Sequence, residues 1–219
     1  MLYIVSTPIG NLEDITFRAI KTLNEVDLIA CEDTRTSSVL LNYYNIKKPL
    51  ISYHSYSKIT KVDKIIEELK AGKKVALISD AGTPGISDPG YALIKEALNN
   101  DINVVPIPGV SACITALSVS GMPSNHFLYL GFLPIKKGRQ TLFKKLQNKE
   151  QTVIIYESVH RIIKTLNEFI TYFGKDLEIV VGRELTKKFE EFKRGKVGDI
   201  LEYFENNKDK VKGEFVIIF

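Results

Sequence analysis

Side chains that can transfer protons or bind anions lie in short segments that directly follow predicted strands. Two such segments, Glu157-Ser158-Val159-His160-Arg161 and Arg183-Glu184-Leu185-Thr186, combine a carboxylate with an arginine, and Glu32-Asp33-Thr34-Arg35 repeats the pattern earlier in the chain. In open parallel sheets, ligands bind beyond the carboxyl ends of the strands. We therefore expect these segments to line one shared crevice.

Three further segments at strand ends are rich in glycine, proline and small hydroxyl residues: Thr7–Asn11, Ser79–Gly90 and Pro108–Ala112. In the second, Thr83-Pro84-Gly85-Ile86 predicts a type II turn, because proline presets the first central φ and glycine accepts a positive φ at the second. Asp88-Pro89 then predicts an N-cap and the first residue of a helix that runs to about Leu98. The sequence thus predicts a strand, a compact loop and a helix in direct succession, with no further linking residues between them.

Several familiar site chemistries are disfavoured by the same segments. Thr7-Pro8-Ile9-Gly10-Asn11 lacks the G-x-G-x-x-G spacing of a dinucleotide site, and no P-loop sequence occurs. Gly109-Val110-Ser111-Ala112-Cys113 misses the G-x-S-x-G nucleophile elbow at its last position and indicates a helix N-terminus instead. The histidines have no metal-ligand spacing with each other or with the cysteines, so no metal site is expected. Such a crevice suits a bulky cofactor that carries its own reactive group.

The order of apolar segments predicts two α/β domains, 1–121 and 122–219, in a chain of 219 residues. In the first, strands alternate with amphipathic helices, which favours a parallel sheet covered on both faces. In the second, shorter strands with fewer helices between them favour a mixed sheet. Further helices are predicted at Thr16–Asn24, Val62–Ala71, Val159–Phe173 and Val197–Phe204. Strands are predicted at Leu2–Ser6, Leu28–Cys31, Leu50–Tyr53, Val75–Ser79, Asn103–Ile107, Phe127–Phe132, Thr152–Tyr156, Glu178–Gly182 and Glu214–Phe219, with a short one at Phe189–Arg194.

Composition and charge are those of a soluble globular protein whose charge is unevenly placed. The chain is 44% hydrophobic and 26% charged, and no apolar run approaches the roughly 20 residues of a membrane span. Residues 1–121 carry 12 Lys+Arg against 13 Asp+Glu, whereas residues 122–219 carry 18 against 13. The basic second half fits a polyanionic partner, and a solvated lysine-rich surface explains it equally well. With two cysteines and no basic leader at Met1–Val5, we expect a reduced, cytoplasmic protein.

Six segments in order resemble the tetrapyrrole methylase superfamily over the whole length of the chain. They are TPIGNLEDIT at Thr7–Thr16, CEDTR at Cys31–Arg35, SDAGTPGISDPG at Ser79–Gly90, PIPGVSA at Pro106–Ala112, ESVHR at Glu157–Arg161 and GEFVI at Gly213–Ile217. The resemblance implies two α/β domains of the tetrapyrrole methylase type, S-adenosylmethionine in the cleft between them, and a homodimer. It places the cofactor against Pro8, Ile9, Gly82, Thr83, Pro84, Ile86, Ser111, Ala112, Tyr156 and Leu185.

The first loop departs from the G-P-G-D type of porphyrin-modifying relatives, so the chain is similar to the branch that methylates RNA. The resemblance then implies 2′-O-methylation of a cytidine ribose in the decoding centre of 16S ribosomal RNA. In-line alignment can contribute about 7–11 kcal/mol to such a displacement, and a general base adds roughly 10²–10⁴-fold. The candidate bases are Glu184, Glu157 and His160. Glu184 is preferred because Arg183 and Lys187 could orient it, although a salt-bridged carboxylate explains each acidic candidate at least as well.

RNA binding is expected from the basic second half, through Lys136, Lys137, Arg139 and Arg161, with Arg35 of the first half as a further candidate in the same cleft. Two alternatives stay open: a small-molecule methyltransferase of the tetrapyrrole type, and a non-catalytic binding module with the same fold. Many members of the RNA branch continue past the G-E-F-V strand, whereas this sequence ends at Phe219. We expect that difference to affect RNA affinity and to leave the chemistry unchanged.

Overall fold

Short apolar strands of the first unit form a parallel sheet. The computed structural model describes residues 1–53 and 59–219, and its residue contacts divide the chain into unit 1, Met1–Ser111, and unit 2, Ala112–Phe219. The elements of unit 1 are β1 (Leu2–Val5), α1 (Phe17–Glu25), β2 (Leu28–Cys31), α2 (Thr34–Tyr43), β3 (Leu50–Ser52), α3 (Ile59–Lys70), β4 (Val75–Leu77), α4 (Tyr91–Asn99) and β5 (Val104–Ile107). The strands lie in the order β3-β2-β4-β1-β5, and every pair is parallel. The predicted parallel sheet is confirmed.

Helices cover both faces of this sheet because the side chains of each strand alternate between the faces. Ala76 packs with α1 and α2 on one face, whereas Val75 and Leu77 pack with α3 and α4 on the other. Although β1 and β4 are neighbours, the chain leaves β1 toward β2 and leaves β4 toward β5, in opposite directions along the sheet. This reversal forms a crevice at the carboxyl ends of β1 and β4, where open α/β sheets bind their ligands.

Unit 2 contains a mixed sheet, as the sequence predicts. Its elements are α5 (Ala112–Ser118), β6 (Phe127–Phe132), α6 (Arg139–Leu146), β7 (Thr152–Ser158), α7 (Ile162–Phe173), β8 (Glu178–Arg183), β9 (Glu191–Lys196), α8 (Val197–Asn206) and β10 (Glu214–Ile218). The strand order is β6-β7-β10-β8-β9, with β6 and β7 parallel and the other pairs antiparallel. Phe143, Phe169, Phe204 and Phe215 are buried in its core.

The structure differs from the sequence prediction in several elements. Helices α2 and α6 are additional. Helix α4 begins at Tyr91 with Gly90 as its N-cap, which corrects the prediction that Asp88 caps this helix. Ser87 has a φ of +66°, and a Cβ on Gly90 would lie 2.9 Å from the Gly85 amide nitrogen, so this stretch packs on the preceding turn and does not start a helix. Helix α5 packs against β7 and β10, so the units meet ten residues before the boundary placed from the sequence.

Candidate functional site

The loops after β1 and β4 are bonded to each other through their main chains. The Thr7 amide donates to the Gly82 carbonyl at 2.8 Å, and the Gly82 amide donates back to the Thr7 carbonyl at 3.0 Å. The Thr7 hydroxyl donates to the Ser79 carbonyl at 3.1 Å. Both loops are therefore fixed at the carboxyl edge of the sheet, beside the crevice between β1 and β4.

A chain of hydroxyl groups ties these loops to the loop after β5. The Thr83 hydroxyl donates to the Val110 carbonyl at 3.0 Å, so the Ser6 hydroxyl, 2.8 Å from Thr83 Oγ1, acts as the donor to Thr83. A Cβ on Gly109 would lie 2.8 Å from the Ser6 Cβ, so only glycine permits this approach. Neither Ser6 nor Gly109 was a predicted site residue, although Gly109 falls within the quoted P-G-V-S segment.

The predicted type II turn is confirmed, and it presents apolar side chains around the crevice. Gly85 has a φ of +86°, and the Ile86 amide donates to the Thr83 carbonyl at 3.1 Å. Pro8, Ile9 and Pro84 are buried, and Ile86 is exposed. A Cβ on Gly82 would lie 3.4 Å from the Ile9 side chain, which shows how closely the two loops pack. Apolar groups with a small number of hydroxyls and main-chain carbonyls are typical of small-molecule and cofactor sites.

Ser111 and Ala112 lie where the two units join in sequence: Ser111 ends unit 1, and Ala112 is the first residue of α5. In unit 2, the Tyr156 hydroxyl accepts a hydrogen bond from the Cys113 amide at 3.0 Å. Burial, with smaller contributions from Cys113 and Tyr129, holds the pKa of Tyr156 well above its ordinary value. Tyr156 is therefore a neutral phenol that anchors the start of α5 to β7.

Leu185 lies in a loop with an unusual backbone. It is buried between Glu184, with a φ of +51°, and Thr186, with a φ of +63°. A left-handed conformation is uncommon for residues other than glycine and is an outlier for a β-branched residue. Such strain is concentrated at ligand-binding and active sites. The loop that carries Leu185, which the resemblance places against the cofactor, therefore has a strained backbone.

Glu184 is held by an ion pair and a main-chain amide. Its Oε1 accepts from Lys187 Nζ at 2.9 Å and from the Glu214 amide at 3.1 Å. Burial would raise the pKa of Glu184, but these hydrogen bonds outweigh it and hold the pKa below the ordinary value of 4.5. Arg183, expected to orient this carboxylate, bonds instead to Glu191 at 3.2 Å. A base role for Glu184 would therefore fall to Oε2.

Glu157, the second candidate base, is buried and bonded through both oxygens. Oε1 accepts from Arg161 Nε at 2.8 Å and from the Ser158 amide at 2.8 Å, and Oε2 accepts from the Thr165 hydroxyl at 2.7 Å. Arg139 Nη2 lies 3.8 Å from the same Oε2. This arrangement argues against a base role, because both carboxylate oxygens already accept hydrogen bonds from protein donors.

Arg139 is also buried, which corrects the expectation that it contacts RNA directly. Only 4% of its side chain is exposed, and Nη2 donates to Glu168 at 2.6 Å and to Thr165 at 2.7 Å. Arg161 is partly buried in its ion pair with Glu157. Its guanidinium therefore serves protein acceptors, as that of Arg139 does.

The remaining candidates are on the surface. His160, Lys136 and Lys137 are exposed. Arg35 is exposed too and forms a bidentate pair with Asp33, the N-cap of α2, with Nη2 to Oδ2 at 2.6 Å. These side chains keep the exposure that phosphate binding or proton transfer requires.

The described residues contain neither a membrane-spanning helix nor a cluster of metal ligands. Within 1–53 and 59–219, no helix combines the length and apolarity needed to cross a membrane. In the same part of the chain, no three His, Cys, Asp or Glu side chains are grouped so that they could hold a metal ion. His54 lies outside the described residues.

Comparisons with known proteins agree on one family. A sequence profile of the Tetrapyrrole (Corrin/Porphyrin) Methylases matches residues 1–201. Ribosomal RNA small subunit methyltransferase I of Thermotoga maritima is 48% identical over 217 residues, 99% of this chain and 96% of that protein. The protein of the same name from Bacillus subtilis is 47% identical over 219 residues, 100% of this chain and 74% of that protein.

A solved structure extends this likeness to the fold. Uroporphyrin-III C-methyl transferase from Thermus thermophilus, complexed with S-adenosyl homocysteine, has a TM-score of 0.67 at 16% identity and covers 99% of this chain and 96% of that chain. The loops joined at the carboxyl edge of the parallel sheet, the mixed second sheet and these matches lead to one assignment. The chain belongs to the tetrapyrrole methylase family.

Proposed function

We propose that this chain methylates 16S ribosomal RNA with S-adenosylmethionine, at the 2′-hydroxyl of a cytidine ribose in the decoding centre. The observation that carries the proposal is the 48% identity, over 99% of the chain, to a protein named ribosomal RNA small subunit methyltransferase I. The first loop, Thr7-Pro8-Ile9-Gly10-Asn11, differs from the G-P-G-D type of porphyrin-modifying relatives, which supports the same substrate class.

Cofactor binding is assigned first to the joined loops of unit 1. Pro8, Ile9, Pro84 and Ile86 supply apolar contacts, and the Gly82–Thr83 main chain with the Thr83 hydroxyl supplies polar ones. Ser111, Ala112, Tyr156 and Leu185 complete the proposed set. A positively charged sulfonium is well served by carbonyl and hydroxyl oxygens, because these place negative partial charge near it without a competing ionised partner. S-adenosylmethionine, when bound, supplies an electrophilic methyl group.

The chain's own contribution to the reaction is mainly positioning. The bonds between the loops after β1, β4 and β5 fix the binding surface in advance, so that little ordering is needed when ligands bind. Glu184 stays the proposed base, acting through Oε2, and His160 is the exposed alternative.

RNA binding is assigned to Lys136 and Lys137, with Arg35 as a further candidate. A homodimer is proposed from the family resemblance, and a cytoplasmic location from the two cysteines, which are too few for a disulfide framework. The alternative of a small-molecule methyltransferase is not favoured, since the RNA-modifying relatives are 47–48% identical and the uroporphyrin enzyme only 16%.

The decisive experiment measures methyl transfer from labelled S-adenosylmethionine to small ribosomal subunits that lack the modification. Nuclease digestion should yield labelled 2′-O-methylcytidine from the decoding region. Label on a base or on another ribose would correct the target. No transfer, with the cofactor still bound by calorimetry, would reject RNA methylation and leave the small-molecule alternative.

A further inference from the structure

Two arginines attach the segment after β6 to the interior of unit 2. Arg161 Nη1 donates to the Leu133 carbonyl at 2.9 Å, and Arg139 Nη1 donates to the Pro134 carbonyl at 3.1 Å. Both guanidinium groups converge on the buried Glu157 carboxylate.

Glu157 pairs directly with Arg161. Arg139 is held by Glu168 at 2.6 Å and by Thr165 at 2.7 Å, and the Thr165 hydroxyl in turn donates to Glu157 Oε2 at 2.7 Å. Glu157 therefore helps to orient both arginines toward two adjacent main-chain carbonyls, Arg161 directly and Arg139 through Thr165.

The attached segment, Leu133–Gly138, exposes cationic and apolar side chains together. Leu133 is buried, whereas Ile135, Lys136 and Lys137 are exposed. Gly138 has a φ of +83° and ends the segment at the start of α6. Two neighbouring ammonium groups beside an exposed apolar side chain suit an RNA backbone, where the cations meet phosphates.

Stability alone does not explain this buried ionic cluster. Replacing buried ion pairs by apolar residues of similar volume is often neutral or stabilising. What an apolar cluster cannot do is donate to the Leu133 and Pro134 carbonyls, since a guanidinium offers several donors in a rigid fork. Through these hydrogen bonds the cluster holds the backbone of the segment after β6, which lies outside the core.

On the basis of the proposed function, we propose that Glu157 is a positioning residue for the RNA substrate. Through Arg161 and Arg139 it fixes Leu133–Gly138, so that Lys136 and Lys137 meet phosphates without a further loss of chain entropy. Three residues expected from the sequence to act on the substrate directly, Glu157, Arg139 and Arg161, instead act through this segment.

The test is a double-mutant cycle between Arg161→Lys and the pair Lys136→Gln/Lys137→Gln. Lysine keeps the charge opposite Glu157, but its single ammonium cannot also reach the Leu133 carbonyl. We expect Arg161→Lys to raise KM for small subunits by about 3- to 10-fold, with kcat and the KM for S-adenosylmethionine unchanged. In the Lys136→Gln/Lys137→Gln background it should add less than about twofold. Independent, multiplying effects would overturn the proposal.

A second measurement follows the segment itself. Trypsin should cleave after Lys136 or Lys137 faster in Arg161→Lys and in Glu157→Gln than in the wild type, with Glu157→Asp intermediate. The matched control is Glu191→Gln, which breaks another partly buried pair in unit 2, with Arg183, and should leave cleavage at Lys136–Lys137 unchanged.

These readouts separate the two proposals. If the wild type does not methylate small subunits, the proposed function fails, and proteolysis still decides whether Glu157 fixes the segment. Unchanged cleavage in folded Arg161→Lys would overturn the positioning role even where methylation is normal. If Glu157→Gln does not fold, the cleavage rates of Arg161→Lys and Glu157→Asp test the positioning role instead.

Discussion

Gly213 lacks a side chain at the point where a Cβ would overlap the Glu184 carboxylate. The Glu184 amide also donates to the Glu214 carbonyl at 3.0 Å, so the loop after β8 is bonded to the start of β10 through main chain and side chain together. This relationship fixes the strained backbone around Leu185. It also gives a way to disturb that loop without changing any residue in it.

Gly213→Ala should weaken cofactor binding because alanine displaces Glu184 and releases the loop that carries Leu185. We expect the Kd for S-adenosylmethionine to rise by about tenfold, near the 1–2 kcal/mol cost of a left-handed alanine combined with the overlap. Titration calorimetry would measure it. Gly121→Ala is the control, since Gly121 has a φ of +80° with no atom within 4 Å of its added Cβ. An equal rise in the Kd for S-adenosylmethionine in both variants would show that backbone strain, and not the displacement of Glu184, weakens cofactor binding.

Glu184→Gln should lower turnover by about 10²-fold or more if Oε2 removes the ribose proton, with cofactor affinity unchanged because the amide keeps the shape. Single-turnover methylation at saturating substrates would measure it. Glu191→Gln is the control, because Glu191 is equally exposed and also has a pKa below its ordinary value, where hydrogen bonds from Tyr203 and Arg183 outweigh burial. Turnover of Glu184→Gln near that of the wild type would remove the base assignment.

Thr83→Val should reduce cofactor affinity while keeping the volume of the side chain. The substitution leaves the buried Ser6 hydroxyl and the Val110 carbonyl without their shared partner. Such an unsatisfied group destabilises the folded loops by about 1–3 kcal/mol. Thr171→Val, which removes an exposed hydroxyl bonded to the Asn167 carbonyl on α7, should have little effect. Isothermal titration of both variants tests whether the hydroxyl chain supports the binding surface. An unchanged Kd for Thr83→Val would show that it does not.

Lys136→Gln/Lys137→Gln should weaken RNA binding and flatten its salt dependence. Two lost phosphate contacts reduce the slope of log K against log salt by about 1.4 for single-stranded RNA. Filter binding to a decoding-region RNA at several salt concentrations would measure the slope. Lys208→Gln/Lys212→Gln removes two exposed charges of unit 2 that have no proposed role. The same slope in both double variants would point to net charge as the cause.

Acid stability should depend on Asp33. The hydrogen bond from the Arg35 side chain lowers the pKa of Asp33 from 3.8 to about 2. A lowered folded-state pKa stabilises the fold above the unfolded value, so this contribution is complete above pH 3.8 and is lost as the pH falls through about 2. Asp33→Asn should flatten the pH dependence of unfolding in this window, measured by urea denaturation. Asp63→Asn, exposed on α3, is the control, and an equal change there would show that the effect is not local.

Much of the fold could be predicted because its strands are marked locally. Continuous apolar runs such as Val75–Leu77 are bounded by turn residues, and Thr83–Ile86 contains the residues that a type II turn demands. Helix α2 was missed because hydroxyl residues dominate the first half of Thr34–Tyr43, and these favour turns as much as helices.

The candidate site could be predicted only in part, because the fate of a charged side chain depends on distant partners. Arg139 follows two lysines and a glycine, which indicates a basic surface, yet its partners Glu157 and Glu168 lie 18 and 29 positions away. Lys187 was expected beside Glu184 from spacing alone, and that contact is confirmed. Gly213 lies within the G-E-F-V-I segment, but only the three-dimensional structure shows that its missing side chain makes room for the Glu184 carboxylate.

The strand order of unit 1 also sets when this protein can fold. β1 leaves the ribosome first, but both of its neighbours lie far along the chain, β4 at Val75–Leu77 and β5 at Val104–Ile107. At roughly 5–20 residues per second, the first strand waits about 5–20 s for its second partner. Until then its edges are open to pairing with other chains, so the cell must protect a nascent strand that ends inside the sheet, between β4 and β5.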